Sequence, residues 1–332
     1  MKARGVSVLA LLLWAPSQAQ ELQRVGRAAR GDDGALPLLD RRGARVGVIA
    51  VEGETLHLRP RGASEVVAPR LQQWIGTRDG RTLVGVGDER ALEHPFELRL
   101  VVYRDGQRVA EPRERFATES ELAVGLDGRV ALVGFVSGER ERPLALVIEP
   151  DGALQRRYPL PPGTLAHDPE LFGPRLLVRV HAAGREGEDG ALLSVGADGV
   201  HTLAEVPGAV ALAGFPELQT ALVLTRDTAQ HFDARDGSLR WERALALRPA
   251  HAHAFAPWRT GEGELLALIT AGLPLAGEPG PELVLVDARD GAVRARQALA
   301  AVDSPADFAL ATRGRDLVLE RPASEEVFTW AR

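Results

Sequence analysis

The stretch Phe232-Asp233-Ala234-Arg235-Asp236-Gly237-Ser238-Leu239-Arg240-Trp241 returns later as Val286-Asp287-Ala288-Arg289-Asp290-Gly291-Ala292-Val293-Arg294-Ala295. Each copy is an apolar run, a tight turn ending in Asp-Gly, and a second extended run. Repetition on this scale marks units that cannot bury their apolar faces alone and must stack on neighbours. Asp-Gly between extended runs is a strong hairpin signal, read here as a type I′ turn with positive φ at both central residues.

Hairpin glycines at 62, 106, 152, 199, 237 and 291 are spaced 44, 46, 47, 38 and 54 residues apart. Periods of 40–50 residues with several short strands per unit are the signature of a β-propeller. The third unit reads as strands over 121–126, 130–136, 144–149 and 153–160, and the fifth over 210–215, 221–225, 229–234 and 238–245. No 12-residue stretch carries a helical apolar period. The fold expected is all-β: a β-propeller of seven four-stranded blades. The last unit offers three strands, 308–312, 316–320 and 325–330, and Leu22 to Arg27 is expected to supply its fourth, removing an open edge.

The N-terminus reads as a signal peptide: Lys2 and Arg4, an apolar run from Val6 to Trp14, Pro16, then small residues ending at Ala19. Cleavage after Ala19 leaves a single propeller domain over 20–332 in a periplasmic or secreted protein. No later segment reaches 18 uninterrupted apolar residues, so no integral membrane segment is expected in the mature chain. The chain has no cysteine, which excludes disulfides, thiol nucleophiles, thiolate metal sites and a lipoprotein anchor. Arginine and acidic residues are interspersed without a basic block, against a nucleic-acid partner.

The fifth unit resembles the quinoprotein-like (PQQ-like, related to WD40) propeller repeat: Asp233-Ala234, Gly237, and Trp241 four residues after that glycine. The sixth keeps Asp287-Ala288 and Gly291 but has Ala295 in place of tryptophan. The resemblance implies that Trp241 packs between neighbouring blades. The quinone-dependent dehydrogenases of this family use acidic and asparagine residues around calcium and the quinone. This chain has no asparagine, so the resemblance points to the non-enzymatic branch, such as the outer-membrane assembly lipoprotein with these repeats.

Connections after the second and fourth strands of each unit are long and irregular, including 87–96, 137–143, 183–190 and 271–281. Recognition on a rigid scaffold falls to such loops. The starts of the inner strands on that face carry Glu119, Glu121, His167, Asp168, His251, His253, Asp303 and Asp307. His251-Ala252-His253 projects two imidazoles from one side of an extended chain, and His with Asp suits a divalent metal. His167, Asp168, His251, His253 and Asp307 are therefore the candidate metal set. Trp74 and Trp258 read as blade packing, with a sugar-binding face as the alternative. No phosphate loop, nucleophile elbow or zinc-protease motif occurs. Two functions stay open: a scaffold holding a protein or peptide partner on the long-loop face, with no cofactor, or a metal-assisted hydrolase or lactonase at the channel mouth.

Overall fold

The computed structural model describes residues 36–40, 45–52, 55–69, 71, 73–87, 98–117, 120–136, 143–153, 155–185, 189–225, 228–244, 252–261, 263–270, 281–299, 309–313, 316–321 and 324–328. The expected signal peptide and the strand at 22–27 lie outside them, as do 88–97, 137–142, 186–188 and 271–280 of the long connections.

The described strands fall into successive antiparallel meanders. The first is β1 (Leu36–Leu39), β2 (Arg45–Glu52), β3 (Thr55–Pro60) and β4 (Val66–Pro69); the second is β5 (Gln73–Gly76), β6 (Thr82–Gly87), β7 (Arg99–Arg104) and β8 (Gln107–Ala110). A parallel bridge from Leu39 to Ile75 joins the inner strands of these two meanders. Next come β9 (Glu121–Val124), β10 (Val130–Phe135), β11 (Pro143–Ile148) and β12 (Gln155–Pro159), then β13 (Thr164–Phe172), β14 (Arg175–Ala182), β15 (Ala191–Gly196) and β16 (Gly199–Glu205). The fifth meander is β17 (Ala209–Phe215), β18 (Thr220–Thr225), β19 (Ala229–Asp233) and β20 (Leu239–Arg243); the sixth is β21 (Ala252–Arg259), β22 (Glu264–Thr270), β23 (Glu282–Asp287) and β24 (Val293–Ala298). β25 (Ala309–Arg313), β26 (Asp316–Arg321) and β27 (Ser324–Phe328) form a three-stranded sheet. Among the described residues no helix is long and apolar enough to cross a membrane.

Burial explains the sequence pattern. Middle strands such as Thr82–Gly87 and Thr220–Thr225 are apolar almost throughout because another sheet covers each of their faces. The outer strand Val293–Ala298 is largely exposed and Gln155–Pro159 is half-buried to exposed, and both carry arginines. Each core lies between two consecutive sheets. One joins Ala131 and Val133 of β10 to Leu176 and Val178 of β14; another joins Leu222 and Leu224 of β18 to Leu266 and Leu268 of β22. Trp74 and Trp258 are buried at 2% and 1% exposure, so both serve blade packing and neither forms a sugar-binding face.

The Asp-Gly turns correct one expectation. Among the described residues only Asp105-Gly106 has both central φ values positive, at 47° and 84°. At Gly80, Gly128, Gly152, Gly237 and Gly291 the glycine alone is left-handed. The preceding aspartate acts instead through its side chain: Oδ1 of Asp79, Asp127, Asp151, Asp236 and Asp290 accepts from the backbone N–H two residues on, at 2.9–3.1 Å. The repeat selects Asp-Gly because Asp closes a local side-chain turn and Gly supplies the positive φ. Type I′ geometry is not the general reason.

Across the sheets, Trp241 makes a direct link. Its Nε1 donates to the carbonyl of Ala288 at 3.0 Å, and its ring lies over Gly291 of the next hairpin. A Cβ added at Gly291 would stand 2.7 Å from the indole. Beneath it sits His231, fully buried, with ring centroids 5.1 Å apart. Arginines add further staples: Arg104 Nη1 donates to Pro150 O at 2.7 Å, Arg175 Nη1 to Ala234 O at 3.1 Å, and Arg243 Nε to Asp290 O at 3.0 Å.

Candidate functional site

The described part of the site is built on three neighbouring inner strands, β9, β13 and β17. β13 is bulged between His167 and Glu170. Inside the bulge Asp168 takes φ +50°, a left-handed conformation uncommon outside glycine, immediately before Pro169. A bulge re-aims side chains that a regular ladder would alternate across the sheet. Here its products reach both neighbouring blades.

Toward β9, His167 Nδ1 lies 2.8 Å from Glu121 Oε1, and the Asp168 backbone N–H donates to Glu121 Oε2 at 2.7 Å. Toward β17, Asp168 Oδ2 accepts from the backbone N–H of Leu212 at 3.1 Å. Within its own blade it accepts from Arg179 Nε at 2.8 Å, while Arg179 Nη1 donates to Ala209 O at 3.2 Å. The His181 imidazole stacks on that of His167, centroids 5.1 Å apart and planes 5° from parallel. The side chain of Glu170 packs over Gly214 of β17, where a Cβ would stand 2.5 Å from its Oε2.

Burial pushes the Asp168 carboxyl above its ordinary value. Arg179 pulls it down, the Glu121 carboxylate pushes it up, and the net shift is upward. Arg179 itself is only 7% exposed, so its charge depends on this partner. Asp168→Ala will therefore lower stability by about 2–3 kcal/mol, below the full cost of a deeply buried pair because the Asp168 side chain keeps some solvent contact. Asp168→Asn keeps the shape and tolerates positive φ; it will cost about half as much. Urea denaturation of the two variants measures the difference, and equal losses would remove the charge from the account.

Of the candidate metal set, His167 and Asp168 are placed here, adjacent and engaged with Glu121 and Arg179. His251 and Asp307 lie outside the described residues, as do Glu119 and Asp303, while His253 is described only as part of strand Ala252–Arg259. Among the described residues no three His, Asp or Glu side chains are arranged to hold a metal ion. Arg179 and His181 were missed from sequence. The available signal was two polar residues at alternate positions in the otherwise buried apolar strand Arg175–Ala182.

No protein-family model matches the chain, and no curated protein matches it. Solved structures do. A eukaryotic initiation factor aligns with TM-score 0.52 and 9% identity over 82% of this chain and 67% of that one. Prolyl oligopeptidase B from Galerina marginata aligns with TM-score 0.50 and 11% identity, covering 87% of this chain and 47% of that one, so the chain spans about half of that enzyme. An oligogalacturonate lyase in complex with manganese gives TM-score 0.44 and 15% identity over 73% and 76%. Identities this low speak to fold alone. The stacked antiparallel sheets, with the first two likenesses, define a β-propeller.

Proposed function

We propose that this chain is an exported propeller of the non-enzymatic, PQQ-like kind, acting as a scaffold that holds a protein or peptide partner on its long-loop face. Export to the periplasm or beyond rests on the signal-peptide pattern over 1–19. The ring is proposed as seven blades in one domain over 20–332. Leu22 to Arg27 would complete the sheet of β25, β26 and β27, whose β27 edge has no further strand among the described residues.

The observation that carries the scaffold reading is how the inner-strand carboxylates are used. Glu121 and Asp168 accept from backbone N–H groups of β13 and β17 and from Arg179, tying three inner strands together. Groups committed in this way set a rigid frame under the loops, and rigid frames with variable loops suit recognition.

The second reading, a metal-assisted hydrolase or lactonase using His167, Asp168, His251, His253 and Asp307, draws on a different detail. Glu121 holds His167 through Nδ1, leaving Nε2 as the ring nitrogen open to a ligand, the arrangement usual for metal-bound or general-base histidine.

The two are separated on the purified full chain. A displayed random peptide library selected on the immobilised protein should yield a consensus whose binding is lost when 271–280 is replaced by Gly-Ser. In parallel, zinc is titrated calorimetrically into parent and a His251→Ala, His253→Ala variant, and lactones and esters are assayed with zinc, manganese or calcium. Metal-dependent turnover lost in the double variant, with no peptide consensus, would overturn the scaffold in favour of the enzyme.

A further inference from the structure

The Asp-Gly turns are chemically unequal. A cyclic succinimide forms when the amide nitrogen of a glycine attacks the side-chain carboxyl carbon of the aspartate before it. Two features of a fold oppose that step. Donors that hold the carboxylate keep it in its ionised form, which is a poor electrophile. Atoms packed over the glycine block the approach.

At Asp79, Asp127, Asp151, Asp236 and Asp290 both features are present. Each carboxylate accepts from the backbone N–H two residues on. A Cβ added at the glycine that follows would stand under 3.0 Å from Arg61, Thr82, Val109, Leu203 and Arg243 respectively, all in the preceding meander. Asp105 is held by Arg81 through both oxygens, at 2.8 and 3.2 Å. Asp189 is paired with Arg185 at 3.2 Å, and the Val206 carbonyl covers Gly190.

Asp198 has neither protection. Its side chain is 76% exposed, and among the described residues its carboxylate meets only His201, whose Nε2 lies 3.6 Å from Oδ2. That nitrogen is closer to the Asp198 main-chain carbonyl oxygen, at 2.9 Å. The atom nearest to a Cβ added at Gly199 is again His201 Nε2, at 3.8 Å, and the preceding meander places nothing within 4 Å.

We propose that Asp198-Gly199, at the turn from β15 to β16, is a site of spontaneous isoaspartyl modification. The Gly199 nitrogen, losing its proton, bonds to Asp198 Cγ, the Cγ–OH bond breaks, and water leaves. Water then opens the ring. Addition at Cγ restores aspartate. Addition at the main-chain carbonyl carbon leaves Gly199 linked through Cγ, which is an isoaspartyl residue. The net change is an isomerisation and needs no other reactant. It moves one methylene into the backbone between the paired residues Gly196 and Gly199. The site lies at the outer hairpin of its sheet, away from the cluster around Asp168, and stands independently of the scaffold reading.

The folded full chain is aged at neutral pH for several weeks. It is then assayed by methyl transfer from labelled S-adenosylmethionine with an isoaspartyl methyltransferase, and the residue is assigned by electron-transfer fragmentation of its peptides. The expected result is isoaspartate at Asp198 at several-fold the level found at Asp79, Asp127, Asp151, Asp236 or Asp290. A sample aged in guanidinium chloride should lose that preference, because unfolding removes the donors and the covering atoms alike. Asp198→Glu should remove most of the methyl acceptance of the aged folded chain. Equal levels across the turns of the folded chain, a preference that persists in denaturant, or a variant that accepts as much as the parent would overturn the site.

Discussion

Trp241→Ala will lower stability by about 3–5 kcal/mol, the range for removing a large buried aromatic. Three losses coincide at this position. The indole leaves a void in the core between two sheets, Ala288 loses a donor to its carbonyl, and His231 loses the ring that covers it. Trp241→Phe should recover most of the packing but not the hydrogen bond, and so fall between. Gly291→Ala should injure the same joint from the other side. Its φ of +74° is costly for a residue with a Cβ, and the added atom would stand 2.7 Å from the indole, against the side of a rigid ring. Urea denaturation followed by far-ultraviolet circular dichroism measures all three. A Trp241→Ala loss under about 1 kcal/mol, comparable to an ordinary surface change, would mean that the blades do not depend on this joint.

Acidification will destabilise the protein in two stages. His231 is held neutral: burial lowers its pKa, Arg240 lowers it further, the Ala288 carbonyl and Asp233 oppose, and the result is about 4 against 6.5 for a free imidazole. Between those values the unfolded chain takes up a proton that the folded chain refuses. Stability therefore falls as pH drops from about 6.5 to about 4, by about 3 kcal/mol in all.

Below that window the carboxylates take over. Arg235 and Arg240 hold Asp233 far below the usual carboxylate range. At Asp287 burial pushes upward, but Arg289 and Arg294 outweigh it and the net shift is again strongly downward. Both contributions are present above the unfolded carboxylate pKa near 4 and are lost as pH falls further. His231→Leu should flatten the upper stage and leave the lower one intact. Urea midpoints between pH 4 and 7 that fall equally steeply in parent and variant would assign the upper stage to other histidines.

Much of this was legible in the chain because propeller repeats are local. A hairpin forms from residues within one unit, so Asp236-Gly237 and Asp290-Gly291 announced their turns, and the spacing of such turns announced the stacking. Trp241 was readable as a joint because the apolar partner it needs lies one repeat away, on the same plan. The turn type was misjudged at most positions because the Asp side chain, and not its backbone, closes the turn.

The site was only half legible. Glu121, His167 and Leu212 lie 46 and 45 residues apart, one repeat, so radial stacking of inner strands must set them side by side. What composition and spacing did not contain was the bulge at Asp168. It sends one residue's N–H to the preceding blade and its carboxylate to the following one, and it recruits Arg179 from a strand that reads as core.

The sequence by itself determined an all-β repeat with its hairpins, its apolar middle strands and its one complete Asp-Ala-Gly-Trp unit, because each depends on neighbours within a few residues or on the repeat period. Only the tertiary structure decided which polar groups meet at the inner strands. That depends on distances between sheets. Those distances are fixed by how all the side chains of adjacent blades pack together, a sum that no single segment of the chain carries.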